Sequence, residues 1–185
     1  EPSVITPTVV VTDKATCFNN QKAKVRVSAT GGTPNYRFQV GLVTGTLSAM
    51  SAPSINPVEF PNLSPGTYSL VVTDNNNCTT QTTFEIVAPT TISATAEPAS
   101  YCYQFGDAKY VLINVLSGNG NYKVQKQGST SVYAFSSGSF TYPEEVASGT
   151  HTFTITDGYG CATTVSTKVF DALSLQVSPT HQQYA

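Results

Sequence analysis

Few side chains in this 185-residue chain could do chemistry, and their spacing says much about what they do. Cysteines stand at Cys17, Cys78, Cys102 and Cys161. The two histidines, His151 and His181, lie in different regions. Asp74 precedes a run of three asparagines, Asn75 to Asn77, and Asp157 precedes Gly158-Tyr159-Gly160. Aromatic residues Tyr103, Tyr133 and Phe135 fall in stretches rich in polar residues.

None of these sets makes a catalytic constellation. Serines are many, but no Gly-x-Ser-x-Gly elbow occurs. Glu144 and Glu145 are adjacent, and adjacent residues of an extended strand point to opposite faces, so they do not form a glycosidase dyad. Asp74 with its asparagines could offer oxygens to calcium. The plainer reading is an Asx-type turn that holds a hairpin, and the ligand set is not repeated after Asp157. Asn62-Leu63-Ser64 and Asn77-Cys78-Thr79 have the form of glycosylation sequons, which arise by chance in Asn- and Thr-rich chains. The expectation is a protein that is not an enzyme and has no cofactor and no metal.

The stretches that carry these residues are written twice. Ser64 to Cys78 reads SPGTYSLVVTDNNNC, and Ser148 to Cys161 reads SGTHTFTITDGYGC. Gly66 matches Gly149 and Cys78 matches Cys161, both 83 residues on. An internal repeat of that period implies two domains in series. Their expected bounds are 1–89 and 90–172. Leu173 to Pro179 echo the start of the second copy, Ile92 to Pro98, so residues 173–185 would open a truncated third repeat. Glu1-Pro2 is not a natural start, so the chain reads as a piece of something longer.

Within each copy, apolar residues recur with period two. Ala23, Val25, Val27 and Ala29 alternate with Lys24, Arg26 and Ser28; Tyr68, Leu70 and Val72 alternate with Ser69, Val71 and Thr73. That is the pattern of half-buried strands. Pro7 limits the first strand, within residues 4–12, to an edge. Gly31-Gly32-Thr33-Pro34 reads as a short loop between two antiparallel strands, those around Val27 and Phe38. Residues 41–57 and 127–141 lack a clean period and are expected to hold irregular edge strands and any specific contact. Each unit thus has about seven short strands. The fold class expected is all-β, two tandem immunoglobulin-like β-sandwich domains, each with one disulfide.

The cysteines occur twice per copy at equivalent places, which selects Cys17–Cys78 and Cys102–Cys161 from the three possible pairings. A zinc site is the alternative, but no CxxC spacing occurs. Disulfides place the protein outside the reducing cytosol. Charged residues are 11% of the chain and the net charge is −2, so no long-range pull on nucleic acid or an anionic membrane is expected. No apolar run is long enough for membrane insertion as a helix.

Two further side chains follow from the repeat. Tyr68, after Pro65-Gly66-Thr67 at a strand start, suits a tyrosine corner, with its ring in the core and its hydroxyl on a backbone carbonyl. His151 takes its place in the second copy and could do the same with a ring nitrogen. Tyr133 and Phe135 share a face if extended. With Tyr103 they are candidate contacts for a sugar; the alternative is that they fill the second core.

Cys17-Phe18-Asn19, Gly31-Gly32-Thr33-Pro34-Asn35-Tyr36 and Pro65 to Cys78 resemble the SprB-type repeats of large cell-surface adhesins of Bacteroidetes. The resemblance covers both copies, though Ser117-Gly118-Asn119-Gly120 lacks the proline and His151 replaces the tyrosine. It implies secretion by the type IX system, tandem display on the bacterial cell surface, and a rod-like structural or adhesive segment in surface attachment and gliding motility. Similar repeats serve as spacers in other secreted proteins, so a carbohydrate-binding or spacer module of a secreted multidomain enzyme is the alternative. The partners implied are a surface polysaccharide or other adhesion target and neighbouring repeats of the same chain, with the isolated fragment a monomer.

Overall fold

The structure, a computed structural model, describes residues 3–48, 51, 56–101, 104, 107–136 and 138–171. The expected third repeat at 173–185, Cys102, Tyr103 and His181 lie outside the described residues. The chain falls into two compact units. One is Glu1–Thr90 with Tyr159–Cys161, and the other is Thr91–Gly158 with Ala162–Ala185.

The first unit has six strands among the described residues: β1 (Thr6–Asp13), β2 (Ala23–Thr30), β3 (Arg37–Leu42), β4 (Val58–Leu63), β5 (Gly66–Thr73) and β6 (Thr79–Ile86). They form two antiparallel sheets, β1-β2-β4 and β3-β5-β6. Val25 and Val27 from one sheet and Phe38, Leu70 and Val72 from the other are fully buried and meet in one core. Period two explains this: one face of each strand is apolar, and two such faces can be hidden only against each other. Pro7 lies on β1, an edge strand, where its missing N–H costs the ladder nothing.

The loop after β2 does something else than expected. Strands β2 and β3 are not hydrogen-bonded to each other; β2 pairs with β1 and β4, whereas β3 pairs with β5. Residues 31–36 therefore carry the chain from one sheet to the other. Gly31 and Gly32 make the crossing possible: both have positive φ (75° and 62°), and a Cβ on Gly31 would sit 2.0 Å from the Val4 carbonyl oxygen.

Among the described residues the second unit has seven strands: β7 (Ser93–Pro98), β8 (Val111–Ser117), β9 (Tyr122–Lys126), β10 (Tyr133–Phe135), β11 (Ser139–Thr141), β12 (Gly149–Thr156) and β13 (Ala162–Val169). Its sheets are β7-β8-β11 and β10-β9-β12-β13. Val111, Ile113, Val124, Tyr142, Phe153 and Ile155 are fully buried between them. The irregular stretch 127–141 supplies β10 and β11, one to each sheet. In the first unit the matching stretch holds only the end of β3, Gly41 and Leu42, and the start of β4 follows it; among its described residues Ser48 and Ser51 donate backbone bonds to Val40 and Phe38.

The disulfide expectation is overturned. The described residues hold one disulfide, between Cys17 and Cys161, 144 positions apart, and Cys78 is an exposed free thiol. Neither expected pair forms, so the units do not carry one disulfide each. Strand direction supplies the reason. The β5–β6 turn with Cys78 lies beside Ser3, Val4 and Ile5, at the start of β1. Cys17 follows the far end of β1. Eight extended residues span about 26 Å, whereas bridged Cα atoms lie no more than about 7 Å apart. Each further strand reverses the chain, so the two cysteines of the first unit end at opposite ends of one sandwich.

Candidate functional site

The residues that the two copies share converge on two constructions, repeated in each unit. The first is a carboxylate latch. Asp74 directly follows β5 and is only 2% exposed. Its Oδ2 accepts from the Thr33 amide at 3.0 Å, and its Oδ1 accepts from the amides of Asn76 and Cys78, each at 2.9 Å. Both oxygens are thus committed to backbone donors. The Thr33 amide chiefly, helped by Cys78 and Asn76 and opposed by burial, holds the Asp74 carboxyl below the usual carboxylate range. The side chain closes the Asx turn expected of it and also ties the β5–β6 turn to the sheet-crossing loop. Asp157, 4% exposed, repeats this: its Oδ2 accepts from the Asn119 amide at 3.1 Å and from the Asn119 side chain at 2.7 Å.

The second construction is the corner. Tyr68 is buried, and its hydroxyl donates to the Ser64 carbonyl at 2.9 Å. His151 Nε2 lies 2.7 Å from the Ala147 carbonyl, the same four-residue reach backward; since a carbonyl only accepts, the ring N–H donates. The histidine is therefore structural: its ring nitrogen does the work of the phenol hydroxyl.

Tyr133 and Phe135 are half-buried on β10 and pack against the second core. Phe135 stacks on Phe140 at 4.7 Å, and Tyr133 meets Tyr142 edge-on at 5.4 Å. Glu144, which the sequence offers only as half of an adjacent acidic pair, organises this corner. Glu144 Oε1 accepts from the Tyr133 hydroxyl at 2.7 Å and Oε2 from the Tyr142 hydroxyl at 2.9 Å. The Tyr133 bond leads the causes that hold the Glu144 carboxyl below its usual range. In turn Glu144 pushes the Tyr133 hydroxyl up. Burial first, then Glu144, pushes Tyr142 up to about 12. Tyr142 lies two positions before Glu144 and Tyr133 eleven, so only the fold brings the two phenols to one carboxylate.

Among the described residues no group of three or more His, Cys, Asp or Glu side chains converges as a metal site would. Among them also, no helix is long and apolar enough to cross a membrane.

Two facing antiparallel sheets, a strand order in which the first two strands of a unit share a sheet with its fourth (β4) in the first unit and its fifth (β11) in the second, and a corner residue at the start of the penultimate strand define an immunoglobulin-like sandwich module. No family model matches the chain, and no curated protein does. Among solved structures the chain is similar to the fibronectin(III)-like modules of Clostridium thermocellum CbhA, at 10% identity, 92% of this chain, 99% of that one and a TM-score of 0.36. It is similar to the IG1+IG2 pair of DIP-gamma, at 10% identity, 89% of this chain, 98% of that one and a TM-score of 0.38. It is also similar to a tetra-tandem repeat in the extending region of a large adhesion protein, at 17% identity, 89% of this chain and a TM-score of 0.33; there it spans 48% of the other chain.

Proposed function

We propose that the chain is a non-enzymatic module of a large secreted cell-surface adhesin, a structural and adhesive segment in surface attachment and gliding motility. One observation carries the reading. What the two copies keep, Asp74 and Asp157, Tyr68 and His151, is spent on hydrogen bonds that hold loops to the scaffold. Groups committed in that way stiffen a fold and leave no reactive atom free. Conserving architecture while the loops drift is what a repeated module needs.

The bounds proposed for the repeats remain 1–89 and 90–172, with 173–185 as the start of another. The resemblance of Cys17-Phe18-Asn19, Gly31 to Tyr36 and Pro65 to Cys78 to SprB-type repeats supports display on a bacterial surface and export by the type IX system. The Cys17–Cys161 bond supports an oxidising exterior.

The half-buried cluster of Tyr133, Phe135 and Phe140 favours a second reading, a carbohydrate-binding module of a secreted multidomain enzyme. Beads coated with the 185-residue chain separate the readings. Retention under flow on polysaccharide-coated glass, undiminished by Phe135→Ala, supports the adhesive segment. Retention that disappears with Phe135→Ala, while thermal unfolding of the variant stays cooperative, supports the aromatic contact. Beads that wash off like albumin-coated ones would sink both.

A further inference from the structure

The first unit holds a cavity of about 490 Å³ where β1 ends, β2 begins and β4 closes. Its lining includes Lys14, Lys22 and Lys24. Those are three of the nine Lys and Arg residues of a chain whose net charge is −2. The geometry points to a binding site for an anionic saccharide, a sugar bearing a carboxylate or sulfate.

The cations are not equal. Lys24 lies 3.8 Å from Asp13, which also lines the cavity, and 3.7 Å from Glu59, so its charge is balanced. Among the described residues Lys22 Nζ bonds only the neutral Ser64 hydroxyl, at 2.6 Å. The Lys14 ammonium meets no acceptor among the described residues. Lys14 and Lys22, neither ion-paired among the described residues, thus line one basin.

The loop that presents them is built in advance. Asn19 Oδ1 accepts from the amides of Thr16 and Lys22, at 2.8 and 3.1 Å, and Asn19 Nδ2 donates to the Lys14 carbonyl at 2.9 Å. Gln21 donates to the Thr16 carbonyl at 2.7 Å. Asn20 and Gln21 take the left-handed conformation this tight turn demands (φ 54° and 59°), and Cys17 is anchored by its disulfide. Such preorganisation lowers the ordering cost of binding.

The rest of the lining selects the ligand class. The Thr16 hydroxyl and the Asn62 side-chain amide meet no hydrogen-bond partner among the described residues, and both line the cavity. Neutral donors and acceptors beside two lysines without a counter-charge match sugar hydroxyls beside an acid group. The volume is within the range of small-molecule sites, about 300–1,000 Å³.

This inference deepens the adhesive reading and rests on it. The probes are tetragalacturonate, sulfated cellotetraose and uncharged cellotetraose, titrated into the 185-residue chain by calorimetry. One or both acidic probes should bind and the uncharged one should not. Binding of only the carboxylated or only the sulfated probe names the source of the anion. Lys14→Gln with Lys22→Gln should weaken binding by about tenfold or more, as loss of charge-assisted hydrogen bonds predicts. Lys123→Gln with Lys168→Gln should leave it unchanged. Equal binding of the uncharged probe, no binding of either acidic probe at about 1 mM, or an unchanged affinity in the Lys14/Lys22 variant would overturn the site. Bead attachment that survives the Lys14/Lys22 substitutions keeps the adhesive reading and removes this cavity from it. Oligosaccharide binding without bead attachment does the reverse.

Discussion

Asp74 accepts the Thr33 amide across 41 residues of sequence, so one carboxylate holds the β5–β6 turn against the loop that crosses between sheets. Gly32 is part of the same joint. A Cβ there would lie 2.9 Å from Asp74 Oδ2 and 2.7 Å from Ile5 Cγ1. The joint is therefore closed to any side chain beyond glycine, quite apart from its positive φ.

Asp74→Asn removes the charge that three amides point at. The expected outcome is a fall in melting temperature of the first unit on the order of 5 °C. The pH dependence has a sign. A carboxyl held below its ordinary value stabilises the folded state fully above its unfolded pKa, near 3.8, and that stabilisation is lost as pH falls through the lower folded value. Glu144, lowered first by Tyr133, and Asp171, lowered first by Ser148, act in the same direction. Thermal unfolding should be insensitive to pH between about 7 and 5 and lose ground steeply below about 4. Asp74→Asn should flatten that decline.

Tyr142 acts at the other end of the scale. Its hydroxyl, buried and bonded to Glu144, ionises at about 12 instead of the usual 10. The neutral phenol is thus favoured by folding, and its contribution is complete below about pH 10 and lost as pH rises toward 12. The difference between ultraviolet titrations of the wild-type chain and Tyr142→Phe should show one phenol ionising near 12. A difference curve centred on 10 would contradict the burial.

The corner predicts an exchange. Tyr68→Phe should cost about 1 kcal/mol, the net value of one hydrogen bond. His151→Ala should cost at least as much, since it also removes packing. His151→Tyr should restore the hydroxyl-to-carbonyl bond that Tyr68 makes in the first unit. Chemical denaturation reads all three; a His151→Tyr variant less stable than His151→Ala would refute the equivalence of the two corners.

The disulfide is checked by peptide mapping without reduction. A linked peptide pair containing Cys17 and Cys161 is expected, and Cys78 should alkylate in the native protein. A linked pair containing Cys17 and Cys78 would refute the strand-direction argument.

Much of this was legible beforehand in particular residues. The alternation around Val25 and Val27 predicts a strand with one buried face, and both are fully buried. The order Pro65-Gly66-Thr67-Tyr68 predicts a corner, and the Ser64 carbonyl receives that hydroxyl. Glu144 was not legible, because its two phenol donors come from different strands' surroundings and its own neighbours suggest nothing but an exposed acidic pair. Nor was the Lys14, Lys22 and Lys24 cavity, although three lysines within eleven positions of a charge-poor chain were a signal that could have been followed.

By itself the sequence determined where strands run, which face of each is buried, that the plan is written twice, and which residues hold the turns. These are local properties: a side chain's face follows from a period of two, and a turn follows from the dihedral preferences of Gly, Asn and Asp. Only the tertiary structure decided which strands share a sheet, that β2 and β3 part company, and that Cys17 meets Cys161 and not Cys78. Those are matters of strand direction and of partners far apart in the chain. Backbone hydrogen bonds are alike at every residue, so periodicity cannot say which neighbour a strand will take.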